Sequence, residues 1–344
     1  MTRAKGAGGT VYLVAVAAVL VWGVLGIIDM PNSGYTGYTT TAQNVVSQVD
    51  PGSPAEAGGV MVGDRVTSVN GIAIEDTRAR NRAPRLVPGS TRELGLDRAG
   101  QPVSVSLTAS AAPGGERALA WSAIVLGLLF LGLPLWARSK SGTRASGILA
   151  WFGVCFGLSF LPGPWLSSVT LRSLAGAVTL TAIVIGFALL LHFILAFPRE
   201  SPFLSKRSAK LWIFGPAGVV ALMFIFVILT EAAETSGLNA IINLIVVALI
   251  VGYFGASLFV LLRQYRSATP AERRSTGLSL MLWGAAAAMV PLVLLVLLEL
   301  VAPLLVVPGQ DFYFLLLGLI PIAFSLAVIR TARTGRESRV EATV

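Results

Sequence analysis

The chain has 344 residues, of which 55% are hydrophobic and only 12% charged, with a mean hydropathy of +0.77. That balance excludes a soluble globular domain as the bulk of the chain and points to a membrane protein. The formal net charge of +9 is scattered over short connections, so it reads as membrane topology and attraction to anionic lipid, with no nucleic-acid partner.

Behind Arg3 and Lys5, Val11–Ile28 is an uncharged apolar run, long enough to span and lacking a small-residue cleavage signal; an uncleaved signal anchor is expected. The stretch after it changes character. Val45–Val49 and Arg65–Val69 are β-type runs bracketing a Pro/Gly turn and a brief helical segment. Ser53 is the expected N-cap, Pro54 takes the first helical position and Glu56 completes a capping box. Gly58 and Gly59 end that helix, Gly63-Asp64 turn into the next strand, and Asn70-Gly71 turn out of it. Arg98-Ala99-Gly100-Gln101 is a hairpin turn, and Val103, Val105 and Leu107 alternate along a closing strand. Ile72–Leu86, carrying Arg78, Arg80, Arg82 and Arg85, is expected to hold a helix interrupted at Pro84.

The order Gly52-Ser53-Pro54-Ala55-x-Ala57-Gly58, Gly63-Asp64-x-Val66 and Asn70-Gly71 resembles a bacterial PDZ domain over about Gly34 to Thr108. An extra residue between Ala57-Gly58 and Gly63-Asp64 departs from the commonest pattern in loop length. The resemblance implies a small α+β module that accepts a peptide or protein C-terminus as an added strand, its carboxylate cradled by backbone N–H groups. It also implies that the carboxylate loop stands at Gly34-Tyr35-Thr36-Gly37-Tyr38. Tyr35, Thr36, Gly37 and Tyr38, with the motif residues Gly63 and Asp64, are therefore the candidate peptide-binding residues. The residues by themselves also allow a plain Gly/Tyr/Thr linker leaving the membrane.

The remainder reads as membrane helices. Further spans are expected at Ala118–Trp136, Gly147–Trp165, Leu174–Phe197, Leu211–Thr230, Leu238–Leu262, Leu278–Val301 and Phe312–Ile329, making about eight with the first. Seven is the expected count if the third is broken. Pro162, Pro164, Pro216, Pro291 and Pro321 mark kinks or span ends, and Gly153 and Gly157 allow close helix approach. Cations follow every even-numbered span: Arg138, Lys140 and Arg144; Arg199, Lys206, Arg207 and Lys210; Arg263, Arg266, Arg273 and Arg274; Arg330, Arg333, Arg336 and Arg339. The positive-inside rule then puts both termini in the cytoplasm and the module outside, in a multi-pass protein of the inner (cytoplasmic) membrane.

Catalysis is not expected. A zinc protease needs H-E-x-x-H, whereas His192 is the one histidine and has no acid beside it. Ser159 and His192 fall about half a bilayer apart, so the G-x-S serines Ser159, Ser257 and Ser279 lack a base. Asp29 and Asp311 sit at the interface rather than as a facing intramembrane pair. With Cys155 the single cysteine, no disulfide framework or thiolate metal site is expected, nor any cofactor. Glu299, with Asn239 and Asn243 a helical turn apart at similar depth, is a candidate membrane cavity that Arg172 and Trp165 could join; the plain alternative is snorkelling and capping.

His192-Phe193-x-x-x-Phe197-Pro198, Pro270-Ala271-Glu272-Arg273-Arg274 with Trp283-Gly284, and Leu319–Arg330 resemble the multi-span sensor modules of ComP-like quorum-sensing histidine kinases. Only fourteen residues follow Arg330, without a phosphoacceptor histidine, so the resemblance implies a sensor without its transmitter. The expected organisation is a signal-anchor span (1–30), a PDZ-like domain (31–110), a seven-span domain (117–330) and a cytoplasmic tail (331–344). The expected function is sensing or scaffolding through a partner, a separate histidine kinase for example. A transporter, or an accessory subunit presenting substrates to a membrane protease, is the alternative.

Overall fold

The first apolar run and its basic flank fold as one helix, α1 (Arg3–Asp29), in a computed structural model that describes residues 3–41, 43–76, 79, 82–230, 236–302, 305 and 307–341. Pro31 lies in a 3₁₀ turn, Met30–Asn32, that ends the helix and releases the chain into the β-rich module.

The module begins and ends at one place. Strand β1 (Gly34–Tyr35) pairs antiparallel with β8 (Ser110–Ala111), which brings the outgoing chain back beside the incoming one. Between them, β2 (Tyr38–Thr40) pairs with β3 (Val46–Val49). The four-stranded sheet runs β5-β4-β6-β7, from β4 (Arg65–Val69), β5 (Ile72–Ala73), β6 (Thr91–Arg98) and β7 (Gln101–Thr108). A bridge between Val45 and Arg65 and the bond from Val46 N–H to Asp64 O join the two sheets. The expected turns form as the residues dictate. Asn70 and Gly71, at φ +51° and +73°, and Ala99 and Gly100, at +52° and +83°, supply the two left-handed positions of type I′ hairpins. Period-2 alternation buries Leu94, Leu96, Val105 and Leu107 against Val46, Ala55, Val60 and Val66. Strand β6 was not among the expected elements, and of the expected arginine-rich helix Thr77, Arg78, Arg80 and Asn81 lie outside the described residues.

The short helix α2 (Pro54–Ala57) starts at Ser53, whose hydroxyl accepts from Glu56 N–H at 3.2 Å. The return bond of the capping box lands one residue early: Glu56 Oε2 accepts from Gly52 N–H at 2.6 Å.

After the module come α3 (Gly114–Ser141), α4 (Arg144–Phe160), α5 (Val169–Ala196), α6 (Ala209–Thr230), α7 (Ser236–Ser267), the short α8 (Pro270–Thr276), α9 (Leu278–Val301) and α10 (Leu319–Glu341). Among the described residues, seven helices are long and apolar enough to cross a membrane, and this fits a multi-pass membrane protein. Helix α4 has only 17 residues, about 26 Å at 1.5 Å per residue against a hydrocarbon core of about 30 Å. The expected third span, Gly147–Trp165, therefore does not stay helical to its end: Pro162-Gly163-Pro164 stop it beyond Leu161. The last expected span is also altered. Its first part is a 3₁₀ helix, Gln310–Gly318, and α10 runs on past Ile329 to Glu341. Pro321 stands in the first turn of α10, where its missing N–H costs no helical bond.

Close approach organises the bundle. A Cβ on Gly153 would lie 2.2 Å from Phe130 O, and one on Gly157 2.5 Å from Leu131 Cγ, so α4 packs onto α3 through these two positions. The core that follows is aromatic: Phe130, Phe156 and Phe160 stack, Phe187 meets Phe156 and Phe254 edge-on, and Phe193 stacks on Phe324. Helix α1 lies outside this core, burying Tyr12, Val16 and Val19 against α3 and α4.

Candidate functional site

Two peptide planes decide what the loop before β2 can do. Thr36 O accepts from Ala55 N–H at 2.9 Å, and Gly37 O accepts from Asp50 N–H at 2.9 Å. Because a trans peptide directs C=O and N–H oppositely, Gly37 N–H points away from α2 and Tyr38 N–H points away from β3. Within β2, Tyr38 then lies in the register position whose N–H and C=O both face outward. Among the described residues no strand pairs with that outer side. The loop thus presents adjacent N–H groups at the head of an open sheet edge, a geometry that accepts a carboxylate and then a strand.

The loop is held from behind. Gly37 has φ +78°, and a Cβ there would fall 2.2 Å from Ser53 Cβ. Ser53, 3% exposed, donates its hydroxyl to Gly37 O at 3.3 Å. Tyr35 donates its phenol to Asp50 Oδ2 at 2.5 Å; burial, and then this carboxylate, push the Tyr35 hydroxyl above the usual tyrosine range, so it stays a neutral donor.

Gly63 and Asp64 stand elsewhere. Gly63 N–H donates to Val46 O and Asp64 O accepts from Val46 N–H, each at 2.8 Å, so both residues lie across β3 from β2. The structure brings Tyr35, Thr36, Gly37 and Tyr38 together at the open edge and does not bring Gly63 and Asp64 there. Asp64, 2% exposed, accepts from Arg98 Nε at 2.8 Å, Arg98 Nη2 at 2.7 Å and Met61 N–H at 2.8 Å. The Arg98 guanidinium holds its carboxyl below the usual carboxylate range. A lowered folded-state value contributes stability above the unfolded value of about 4 and loses it as pH falls through the folded value. Hydrogen exchange across residues 59–69 is therefore expected to stay flat from pH 8 to 5, after correction for intrinsic rate, and to rise below pH 4. Asp64→Asn should remove that acid-side rise.

The junction with the helices was not legible in sequence. Arg85 Nη1 pairs with Asp29 Oδ1 at 2.7 Å at the end of α1, and Nη2 donates to Ser33 Oγ at 2.9 Å. Asp29 Oδ2 in turn accepts from Trp165 N–H at 2.8 Å. The Trp165 ring carries Arg85 at 5.4 Å and Arg172 at 4.5 Å. The Gly34–Tyr38 loop touches this junction directly, since Gly34 N–H donates to Leu86 O at 2.9 Å. Trp165 and Arg172 were expected near Glu299, Asn239 and Asn243, but the side chains of those three lie outside the described residues.

A family model of the PDZ domain matches residues 45–79. PDZ domains generally bind peptide or protein C-termini, so a peptide or protein interaction is the activity this part of the chain suggests. The match starts at Val45, just beyond the loop and β2; the geometry above supplies the edge that the matched segment supports. Ser159, raised earlier as a nucleophile, donates to Cys155 O at 2.9 Å, and the ring of His192 packs edge-on to Phe214 at 5.7 Å.

Proposed function

We propose that this is a non-catalytic multi-pass membrane receptor whose outward-facing PDZ domain binds a free C-terminus along β2. Gly37 and Tyr38 N–H receive the carboxylate, and the ligand backbone continues the sheet beyond Tyr38. The outward turn of these two N–H groups beside an unpaired edge carries this reading. Gly63 and Asp64 serve it indirectly by fixing β3, the strand on which β2 rests.

Occupancy is passed to the helices through Gly34–Leu86 and Arg85–Asp29–Trp165, a contiguous set of bonds linking the loop to α1 and to the connection between α4 and α5. A partner such as a separate histidine kinase then reads the helical bundle. We assign eight crossings, with α4 and residues 161–165 as the third. Two contacts support this: Arg138 lies 4.6 Å from the ring of Tyr12, near the start of the apolar stretch of α1, and Trp165 meets Asp29 at the helix end. In this topology both termini are cytoplasmic, in accord with the basic connections.

The test uses the full chain in lipid nanodiscs and a library of fluorescent heptapeptides offered as free acids and as C-terminal amides. Saturable binding that disappears on amidation is the expected result. Free acids binding no better than amides would end the proposal. Asp29→Asn should leave peptide affinity within about threefold while uncoupling binding from hydrogen exchange in residues 161–175.

A further inference from the structure

At the basic end of the bundle, remote from the PDZ domain, a cavity of about 740 Å³ opens between α5, α7, α8 and the connection after α5. Its walls divide by chemistry. Toward the bundle middle they are apolar, with Leu191, Phe259 and Val260; toward the helix ends they carry Lys206, Arg263 and Gln264. Phe259 is 66% exposed, so the lip lies on the outer flank of a helix long and apolar enough to meet lipid. From Phe259 to Ser267 the helix rises about 12 Å, the depth of a headgroup together with the first part of its acyl chains.

The charges in the wall are unbalanced. The two carboxylates are already engaged: Glu272 with Arg199 at 2.8 Å and Glu200 with Arg144 at 3.0 Å. Among the described residues, neither Lys206 nor Arg263 has a carboxylate partner. Lys206 lies 5.9 Å from the ring of Phe203, its only cation–π neighbour among the described residues. Gln264 Nε2 donates to Ile194 O at 2.9 Å and ties α7 to α5 at the back of the cavity. Cations without carboxylate partners above apolar walls ask for a ligand with a negative charge and an apolar tail.

We infer that this cavity is a binding site for an anionic glycerophospholipid of the phosphatidylglycerol type. The phosphate lies between Lys206 and Arg263, and the acyl chains run along Leu191, Phe259 and Val260. Basic pockets between helices at one membrane face take anionic headgroups for this reason. The site is independent of the peptide-binding reading and needs only the membrane setting.

The experiment takes the full chain, delipidated in a neutral detergent, and follows thermal unfolding by tryptophan fluorescence during titration with dioctanoyl lipids. Phosphatidylglycerol should raise the midpoint saturably, phosphatidylcholine should act at least tenfold more weakly, and glycerol phosphate should not act at the same concentrations. The Lys206→Gln/Arg263→Gln pair should lose at least tenfold in apparent affinity, whereas Arg207→Gln, which lies outside the cavity, should not. Ala256→Phe, which fills the apolar wall with the charges intact, should also weaken the lipid. Native mass spectrometry of the wild-type chain before delipidation should show phosphatidylglycerol retained over phosphatidylethanolamine. Equal response to phosphatidylcholine, full response in the double variant, retention without headgroup preference, or an equal response to glycerol phosphate would each overturn the assignment, the last by identifying a soluble phosphate as the ligand.

Discussion

Gly37→Ala is expected to lower the affinity for free-acid peptides by about a hundredfold while leaving the helical bundle unchanged. The residue sits at φ +78° with Ser53 Cβ 2.2 Å from the place a new Cβ would occupy. Left-handed backbone alone costs a non-glycine residue about 1–2 kcal/mol. Contact at 2.2 Å cannot be absorbed by a rotamer, because Ser53 Cβ moves only with its backbone and that backbone begins α2. The loop therefore shifts, and the N–H groups of Gly37 and Tyr38 lose the orientations that their peptide planes fix. Hydrogen bonds to a charged acceptor are worth about 1.5–3 kcal/mol each, so losing the alignment of two costs roughly 3 kcal/mol, or about a hundredfold. Gly52→Ala is the control: φ is +72° there, but nothing lies within 4 Å of the added methyl. It should pay the backbone strain in stability and keep peptide affinity within about threefold. Adding Ser53→Gly to Gly37→Ala removes the clashing carbon for a few tenths of a kcal/mol of capping and should recover part of the binding. Equal impairment by Gly52→Ala and Gly37→Ala in fluorescence anisotropy would show that the close approach to Ser53 is irrelevant.

The turns explain why so much of the module was legible. Ser53 with Glu56, Asn70-Gly71 and Ala99-Gly100 state their geometry within a few residues, and the structure adopts each of them. Strand β6 was not legible because Thr91–Arg98 mixes Arg, Glu, Asp and Gly with only two buried leucines, Leu94 and Leu96. The place of the Gly34–Tyr38 loop, ahead of β2, could be read from the PDZ resemblance. Its orientation could not, since it depends on Ala55 and Asp50 donating to Thr36 and Gly37, partners set by the fold rather than by spacing. The same limit hid the ion pairs: Asp29 and Arg85 are 56 residues apart, Asp64 and Arg98 34 apart. In the membrane part, hydropathy locates apolar runs but is indifferent to whether a run stays helical; Leu161 remains buried beyond the end of α4 while Pro162-Gly163-Pro164 turn the chain.

Arg98→Ala should be the most damaging change at a polar residue of the PDZ domain away from the open edge of β2. The guanidinium gives Asp64 two bonds at 2.7 and 2.8 Å and a third, at 2.7 Å, to Gly59 O beyond α2. Truncation leaves a carboxylate at 2% exposure with Met61 N–H as its remaining donor. Removing one partner of a buried pair costs about 3–5 kcal/mol; with Arg98 itself about one-third exposed, the lower end, about 3 kcal/mol, applies. Hydrogen-exchange protection of β3 and β4 should fall by roughly a hundredfold at pH 7, with the bundle helices unaffected. Acid chemistry separates this loss from simple loss of packing. In wild type the Asp64 contribution disappears below pH 4, so the difference between Arg98→Ala and wild type should shrink as pH falls. Arg98→Met keeps most of the apolar stem without the charge and should resemble alanine rather than wild type. The double variant Asp64→Leu/Arg98→Met, in which no charge is left buried, should recover at least half of the lost protection. A methionine variant as protected as wild type would assign the effect to the stem and show that the ion pair does not hold β3 behind the open edge.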